Sequence, residues 1–532
     1  MSRTVPFAPL AWLASVAFSA LACSSTGGMT AVTGTGGTLP ASGGSPGAGG
    51  ASPGTGGDAT GGAVGAGGSA TGGSPGTGGG ATGGTIASGG VAGSGVAGSG
   101  GAAGAGGGAG PGVAGAAGKG GSGGATGGTT GTGGNATGGA GSGTCSGSSA
   151  SSGDVTVSLS SLQQKISGFG VSTAWGSTMS TSDAALLWST TSGAGLSLHR
   201  VRIDYTNGHT SEVNIAKMAV GYGVTVWATP WTPPIAYKSN DNAVEGTLTD
   251  GADYATFLTG FVSWMKSQGV PIYAVSAGNE PDANVTYESC VYTGATMESF
   301  ISTYMGPAFA GSGVKIMAPE TQNWCGFPSF EPALVKDNFV SIIATHEYGC
   351  TLKAYPDIAA AGKEFWETEI YDADQSGDDA MSSPLRMAKL INDSLTIANM
   401  NAWHYWWVYS ATSGLFTAAG QVTKRLWVEG NYARFIRPGY QRVATSGSAP
   451  SGVLLSAYTS PTDGTVVVVA VNNNVADTPI SFFVSGAAPC MLTPYITDVN
   501  SDLIVGAPLT VSGGRFSSTL GARSVTTYVG RP

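Results

Sequence analysis

The sequence predicts an α/β protein: a (β/α)₈ TIM barrel with a side all-β domain, preceded by a disordered Gly-rich tether. Three observations carry that prediction. Short apolar runs alternate with helical stretches through the middle of the chain. After Arg437-Pro438-Gly439 the alternation stops, and strand-like runs joined by turns take over. From about Ser24 to Ser142 the chain is nearly all Gly, Ala, Ser and Thr, which leaves too little apolar surface to offset chain entropy.

Taken in order, residues 1–22 read as an export signal. Arg3 supplies the positive start, and Phe7 to Ala22 is a mostly apolar run ending in small residues. It is too short and too early to be a good membrane span. Ser19-Ala20-Leu21-Ala22-Cys23 resembles a bacterial lipobox, which implies cleavage before Cys23 and lipidation of that residue. The alternative is an ordinary signal peptide with a Cys near its cut. Residues 23–143 form the tether, with repeated Ala-Thr-Gly-Gly and Thr-Gly-Gly units and no Gly-X-Y period rich in Pro. More than one acyl chain gives stable anchoring, so the expected place is the cell surface or outer membrane, with proteolytic release as the variant.

The tether supplies much of the 90 Gly, so whole-chain composition says little about the folded part. Thr144 to Pro532 is long enough for a barrel of about 250 residues plus a smaller domain. A net charge of −9 without a basic cluster argues against nucleic acid as a partner. Apart from Cys23 the cysteines are Cys145, Cys290, Cys325, Cys350 and Cys490. Export permits disulfides, but the odd number leaves at least one thiol free or paired elsewhere. Cys290 and Cys325, in loops after successive strands, are the expected bridge. The spacings are not those of a zinc site, and no metal or cofactor is expected.

Residues 144–165 contain Asp154 to Ile166, where apolar and polar residues alternate as in a half-exposed strand expected to join the C-terminal β-domain. The barrel is placed at 166–439. Its eight strand runs are Ile166–Trp175, Leu196–Asp204, Val224–Trp231, Ile272–Glu280, Val314–Glu320, Ile342–Tyr348, Glu364–Ile370 and Ala402–Tyr409. Helix candidates between them include Tyr254–Gln268, Met297–Phe309 and Pro384–Ala398. In the β-domain at 440–532, Val453–Tyr458, Thr465–Asn472, Ile480–Val484 and Ser524–Val529 read as strands, with a turn at Pro461-Thr462-Asp463-Gly464.

Catalytic groups of a barrel project from the carboxyl ends of its strands. Glu280 closes the fourth run and Glu369 the seventh. Two acids on the rims of different strands are what glycoside hydrolysis needs: one protonates the leaving oxygen, and the other attacks the sugar or activates water. Glu367 and Glu369 are two apart and so are expected on one face. Glu369 is nearer the rim and is the better nucleophile, while Glu367 lies deeper. The structural alternative for Glu369 is a carboxylate bound to Arg202. Asn279 is placed to hold a sugar 2-hydroxyl or to fix the strand-end backbone. Trp231, Trp403, Trp406 and Trp407 offer flat faces for sugar rings, although alternation lets only some of them face the cleft. Arg202 and His346 also fall at strand ends, Arg202 to hold the nucleophile ionised and His346 to contact nucleophile or sugar. Tyr348 joins the rim by alternation.

With these residues in place, the chain resembles the family 30 glycoside hydrolases from about Val155 to Pro532. The resemblance rests on an ordered set: Ile166-Ser167-Gly168-Phe169-Gly170, Arg200-Val201-Arg202-Ile203, Ala228-Thr229-Pro230-Trp231-Thr232-Pro233-Pro234, Gly278-Asn279-Glu280-Pro281, Trp366-Glu367-Thr368-Glu369, Trp403-His404-Tyr405-Trp406-Trp407 and Phe435-Ile436-Arg437-Pro438-Gly439-Tyr440. It implies a (β/α)₈ barrel fused to a side β-domain and hydrolysis with retention of configuration. Glu280 is then the acid/base and Glu369 the nucleophile, with the carboxyls about 5–5.5 Å apart and a covalent glycosyl-enzyme between the two steps. Glu280 starts protonated and Glu369 ionised, held so by donors such as Arg202. The family includes xylanases, β-1,6-galactanases, β-1,6-glucanases and glucosylceramidases. Bacterial glucuronoxylanases usually carry an Arg soon after the eighth-strand tryptophans, whereas Val408 to Phe416 holds none. The expected substrate is a plant-type polysaccharide, with an endo-β-xylanase not strictly dependent on glucuronate narrowly ahead of an endo-β-1,6-galactanase or a glucosylceramidase-like β-glycosidase. A monomer is expected. The rivals from other classes are a surface carbohydrate-binding protein that has lost catalysis and an anchored structural or adhesive protein.

Overall fold

The computed structural model describes residues 144–372 and 380–532, so the export signal, Cys23 and the tether lie outside the described residues. Among the described residues no helix is long and apolar enough to cross a membrane.

A first strand, β1 (Val155–Lys165), leads into the barrel without belonging to it. Eight parallel strands then close in chain order: β2 (Gly168–Ser172), β3 (Leu198–Ile203), β4 (Thr225–Pro230), β5 (Ile272–Ser276), β6 (Lys315–Thr321), β7 (Val340–Thr345), β8 (Glu364–Glu367) and β9 (Ala402–Tyr405). Each falls inside, or within two residues of, the run that predicts it. Between the strands lie α1 (Thr181–Trp188), α2 (Val213–Gly221), α3 (Gly251–Ser267), α4 (Gly294–Phe300), α5 (Gly306–Phe309), α6 (Glu331–Leu334), α7 (Pro356–Ala360) and α8 (Ser382–Thr396), and α9 (Lys424–Ala433) follows β9. Their starts are set locally. The Ser180 side chain accepts the Asp183 N–H at the head of α1, Asp250 does the same for α3, and Thr293 with Thr296 forms a capping box on α4. The single helix expected over Met297–Phe309 is interrupted by a π-turn at Ile301–Met305. Pro307 explains it, because it has no N–H to donate and its ring crowds the carbonyl four residues back.

The barrel interior is plugged by Leu198, Trp227, Ala274, Met317, Ile342, Ala344, Trp366 and Ala402. His404 sits among them, its Nε2 accepting from Trp227 Nε1 at 3.0 Å while Nδ1 donates to the Glu367 carbonyl at 2.8 Å. Burial in this apolar plug pushes the imidazole down to about 3, so it stays neutral. Strand alternation decides the fate of the eighth-strand aromatics. Trp403 and Tyr405 face outward into the layer between strands and helices, and Trp403 is fully buried there. It is therefore a core residue and not a sugar platform.

The second domain is a ten-stranded sheet. Its strands are β10 (Gln441–Ser446), β11 (Val453–Thr459), β12 (Val466–Asn472), β13 (Thr478–Ser485), β14 (Met491–Thr497), β15 (Ile504–Val505), β16 (Leu509–Thr510), β17 (Arg515–Leu520) and β18 (Ser524–Gly530). The order is β15-β14-β18-β12-β11-β10-β1-β13-β17, with β16 beside β14. Strand β1 pairs antiparallel with β10 and parallel with β13, so residues before and after the barrel share one sheet. Asn431 of α9 ties barrel to sheet, its Nδ2 donating to the Tyr495 carbonyl at 3.0 Å and to Thr527 Oγ1 at 3.1 Å.

Among the described residues two disulfides form, Cys145–Cys490 and Cys325–Cys350, and Cys290 is a buried free thiol. The expected Cys290–Cys325 bridge is thus incorrect. Cys290 is turned into the apolar core beside Tyr292, whereas the loop holding Cys325 reaches the loop after the next strand instead.

Candidate active site

The carboxyl ends of the barrel strands converge on Arg200. It lies on the inward face of β3, two residues deeper than Arg202, and is fully buried. Its Nη1 donates to Glu369 Oε2. Nη2 donates to Asn279 Oδ1 at 2.6 Å and lies 3.1 Å from Glu320 Oε1, while Nε donates to Thr229 Oγ1 at 3.1 Å. The rings of Trp231 and Trp406 stand 4.7 and 5.5 Å from the guanidinium carbon. Burial works against this charge, but Glu320 and Glu369 together raise the arginine above its usual range. Glu320 is a matched partner: burial pushes its carboxyl up, yet Arg200 and His346 hold it down to about 2.

The two predicted acids are held in parallel fashion. Glu369 receives Arg200 on Oε2 and the Tyr348 hydroxyl on Oε1 at 3.1 Å. Glu280 receives His346 Nδ1 on Oε1 at 3.1 Å and the Tyr287 hydroxyl on Oε2. Each carboxylate thus has one tyrosine and one nitrogen base. The nitrogen group is a guanidinium for Glu369 and an imidazole for Glu280. His346 Nε2 also lies 3.8 Å from Glu320 and 3.9 Å from Glu369. Burial lowers the imidazole, but Glu369, Glu280 and Glu320 outweigh it and raise His346 to about 10. For Glu369, burial pushes upward and Glu280 adds to it, while His346 and Arg200 pull down; the balance is upward.

Single carboxylate oxygens of Glu280 and Glu369 and a ring nitrogen of His346 all lie within 4.8 Å of one another. These three could each offer one ligand to a cation. A metal ion there would have to displace Arg200 from Glu369 and His346 from Glu280, so the donor set suits proton transfer better. Glu280 and Glu320 both take left-handed backbone, φ 47° and 57°, a conformation costing about 1–3 kcal/mol each and concentrated at functional sites. The Glu280 N–H donates to the Glu320 carbonyl at 2.9 Å, fixing the two strand ends together.

The structure gathers Glu280, Glu369, Asn279, Trp231, His346, Tyr348 and Trp406 around this pocket. Trp407 is half-buried, its ring 5.2 Å from Trp406 and 6.5 Å from Tyr371. Arg202 does not hold Glu369. Its Nε and Nη2 clamp Glu288 at 3.0 and 2.6 Å, and Nη1 lies 3.4 Å from Asp204. Both arginines face inward, but only the deeper one reaches the axis where Glu369 lies. Glu367 is buried more deeply than Glu369, as expected. Its oxygens accept the Glu369 and His404 N–H groups at 2.7 and 2.8 Å, so it fixes backbone at the end of β8.

Sequence reasoning missed Arg200, Glu320, Tyr287 and Trp175. Arg200 and Glu320 carried a signal, namely the inward parity of a strand and an acid at a strand end. Tyr287 sits in an irregular loop where no periodicity applies. Trp175 is 46% exposed with φ 62°, its ring 5.0 Å from Trp231 and 5.2 Å from the Arg202 guanidinium carbon.

The profile of the glycosyl hydrolase family 30 beta sandwich domain matches residues 439–528. Glucuronoxylanase XynC of Bacillus subtilis is 30% identical over 395 residues, covering 71% of this chain and 91% of that protein. The chain belongs to glycoside hydrolase family 30. Among solved structures of the family, the subfamily 8 xylanase Xyn30A of Clostridium acetobutylicum superposes with a TM-score of 0.66 at 34% identity, covering 72% of this chain and all of that one. A GH30 endoxylanase from Clostridium papyrosolvens gives 0.63 at 32% identity, covering 71% of this chain and all of that one. This member of family 30 is accordingly a glycosidase with the barrel and side β-domain just described.

Proposed function

We propose that the protein is a retaining endo-β-xylanase, with Glu369 as nucleophile and Glu280 as acid/base, that does not depend strictly on glucuronate branches. The observation that carries the mechanism is that one oxygen of each carboxylate lies within 4.8 Å of one oxygen of the other. Retaining glycosidases hold their carboxyls about 5–5.5 Å apart, whereas inverting ones leave room for water at about 6.5–9.5 Å. The roles follow from the partners. Arg200 is a permanent cation suited to holding an ionised nucleophile. His346 and Tyr287 each hydrogen-bond one oxygen of Glu280, which orients it as the acid/base. Asn279, fixed through Oδ1 by Arg200, keeps its amide NH₂ for the sugar 2-hydroxyl.

In the first step a Glu369 oxygen attacks the anomeric carbon, the glycosidic bond breaks, and the Glu280 proton passes to the leaving oxygen. In the second, Glu280 takes a proton from water, whose oxygen attacks the same carbon and releases Glu369. Xylan is favoured because the relatives named above, which the chain matches over almost their whole length, are xylanases or glucuronoxylanases. Independence from glucuronate is favoured because Val408 to Phe416 carries no Arg, and Tyr409 there is engaged by Asp183 at 2.8 Å. The same reading has the protein exported as a monomer and anchored through lipidated Cys23.

The test is product analysis on glucuronoxylan, unsubstituted xylan and β-1,6-galactan, with the anomer followed by proton NMR. Short oligosaccharides of initial β configuration from both xylans are expected, and none with Glu369→Gln. Products of α configuration would refute retention. Release from β-1,6-galactan alone would refute the xylan assignment. Mass analysis of the mature amino terminus tests the acyl groups on Cys23.

A further inference from the structure

We infer that the Cys325–Cys350 disulfide is a positioning element for the catalytic pair, so that turnover depends on its being oxidised. This rests on the reading of Glu280 and Glu369 as that pair. The bridge joins the loop after β6 to the loop after β7; the first presses on the segment that follows Glu280, and the second carries a donor to Glu369.

On one side, the Gln322 N–H donates to Asp282 Oδ1 at 2.8 Å, and Asp282 is two residues from Glu280. Gly326, next to Cys325, lies so close that an added Cβ would fall 1.9 Å from Asp282 Oδ2. The loop is therefore pressed against the segment that follows the acid/base. On the other side, Cys350 is two residues beyond Tyr348, whose hydroxyl donates to Glu369, and four beyond His346, whose Nδ1 meets Glu280. The Glu347 N–H also donates to the Glu369 carbonyl at 3.3 Å. The contacts form a closed ring: Glu280, Asp282, the Cys325 loop, the bridge, the Tyr348 segment, Glu369, and back through His346. The disulfide is the covalent link in that ring.

Its setting separates it from the other bridge. Cys325 and Cys350 are both exposed, although Trp324 and Phe327 beside Cys325 are buried in the core. Cys145 and Cys490 are half-buried at the start of the described chain and in the β-domain, away from every residue of the site. Cutting Cys325–Cys350 leaves barrel and sheet intact but removes the covalent tie between the loop pressed against Asp282 and the segment carrying Tyr348. Small displacements of groups around a reacting centre are costly to kcat. Sugar binding on the tryptophans is untouched, so KM is spared.

The experiment uses the full chain carrying Cys145→Ser and Cys490→Ser, which leaves one bridge to address and is expected to keep the basal activity. Dithiothreitol transfers two electrons and two protons to Cys325–Cys350, leaving two thiols and the cyclic disulfide of the reagent. Oxidised glutathione reverses this and releases two molecules of its thiol. A fall in kcat of about tenfold or more is expected on reduction, with KM within about twofold, unchanged circular dichroism and recovery on reoxidation. Cys325→Ser with Cys350→Ser should reproduce the loss and abolish the recovery. Unchanged kcat in the reduced and serine forms overturns the inference, as does a loss that only tracks the unfolded fraction. Glu369→Gln is run alongside: if it is inactive and the bridge variant fully active, only the bridge inference falls. If it retains activity, the reading of the site falls.

Discussion

At the amino-terminal mouth of the barrel one carboxylate has a cation to itself; at the carboxyl-terminal mouth three carboxylates share two. Below, Glu364 at the start of β8 receives Lys315 Nζ on Oε1 at 2.6 Å, and Ser167 Oγ and Trp366 Nε1 on Oε2 at 2.5 and 2.8 Å. Burial pushes its carboxyl up, but Lys315 and Ser167 bring it below the usual value. Lys315 and Glu364 line a cavity of about 430 Å³ together with Lys165. Above, Glu280, Glu320 and Glu369 compete for Arg200 and His346; burial leaves Glu369 raised, while the carboxylates outweigh burial at His346 and bring it to about 10. One end is arranged for stability and the other for proton movement, as the two faces of such barrels are expected to differ.

The largest effect that should separate the two ends is Glu369→Gln. It should lower kcat by more than about 10⁴-fold, and Glu280→Gln by about 10²–10⁴-fold, measured as initial rates on xylan. Activity remaining near the parent level in either would erase the distinction.

Next is pH. Glu347, between His346 and Tyr348, is raised by burial from 4.5 to about 8. From pH 4.5 to about 8 the unfolded chain binds fewer protons than the folded one, so stability should fall as pH rises and level off above that window. The steepest slope from one such group is about 1.4 kcal/mol per pH unit. Glu347→Gln should flatten it in denaturant titrations. Glu364 is lowered instead, so its contribution is present above 4.5 and disappears only as pH falls below that. A slope unaltered by Glu347→Gln would place the buried proton elsewhere.

Tyr348→Phe removes one hydrogen bond to a charged acceptor, worth about 1.5–3 kcal/mol. A ten- to hundredfold drop in kcat is expected, roughly the rate equivalent of that energy, with little change in melting temperature. Loss of melting temperature without loss of kcat would make it a structural residue. The smallest effect is at the other mouth. Glu364→Gln breaks a partly exposed pair, so it should cost about 0.5–1 kcal/mol of stability and leave kcat at the parent value. A kcat effect there would show that the two ends communicate.

Much of the site was legible because parity and strand ends are local properties. Glu280, Glu369, His346 and Tyr348 lie one to four residues past the ends of β5, β7 and β8, and their convergence follows from barrel closure. Arg202 was preferred to Arg200 because it is nearer the rim. Which of two inward arginines meets Glu369 depends on how far each strand runs before turning, and no residue pattern encodes that depth. Trp403 was misplaced because Trp403, Trp406 and Trp407 look alike until β9 is given an inside and an outside. The disulfides failed for a similar reason: the Cys325 loop had two neighbouring loops in reach, and spacing cannot choose between them.

The sequence by itself determined the order of strands and helices, the sheet domain that closes the chain and the two acids at the rim. It could do so because periodicity, caps and turns act over a few residues. Tertiary structure alone decided which cation serves which acid, that Tyr287 and Glu320 belong to the site, and that Cys325 pairs with Cys350. Those outcomes depend on distances between segments far apart in the chain, and on a burial that exists only once the barrel has closed around them.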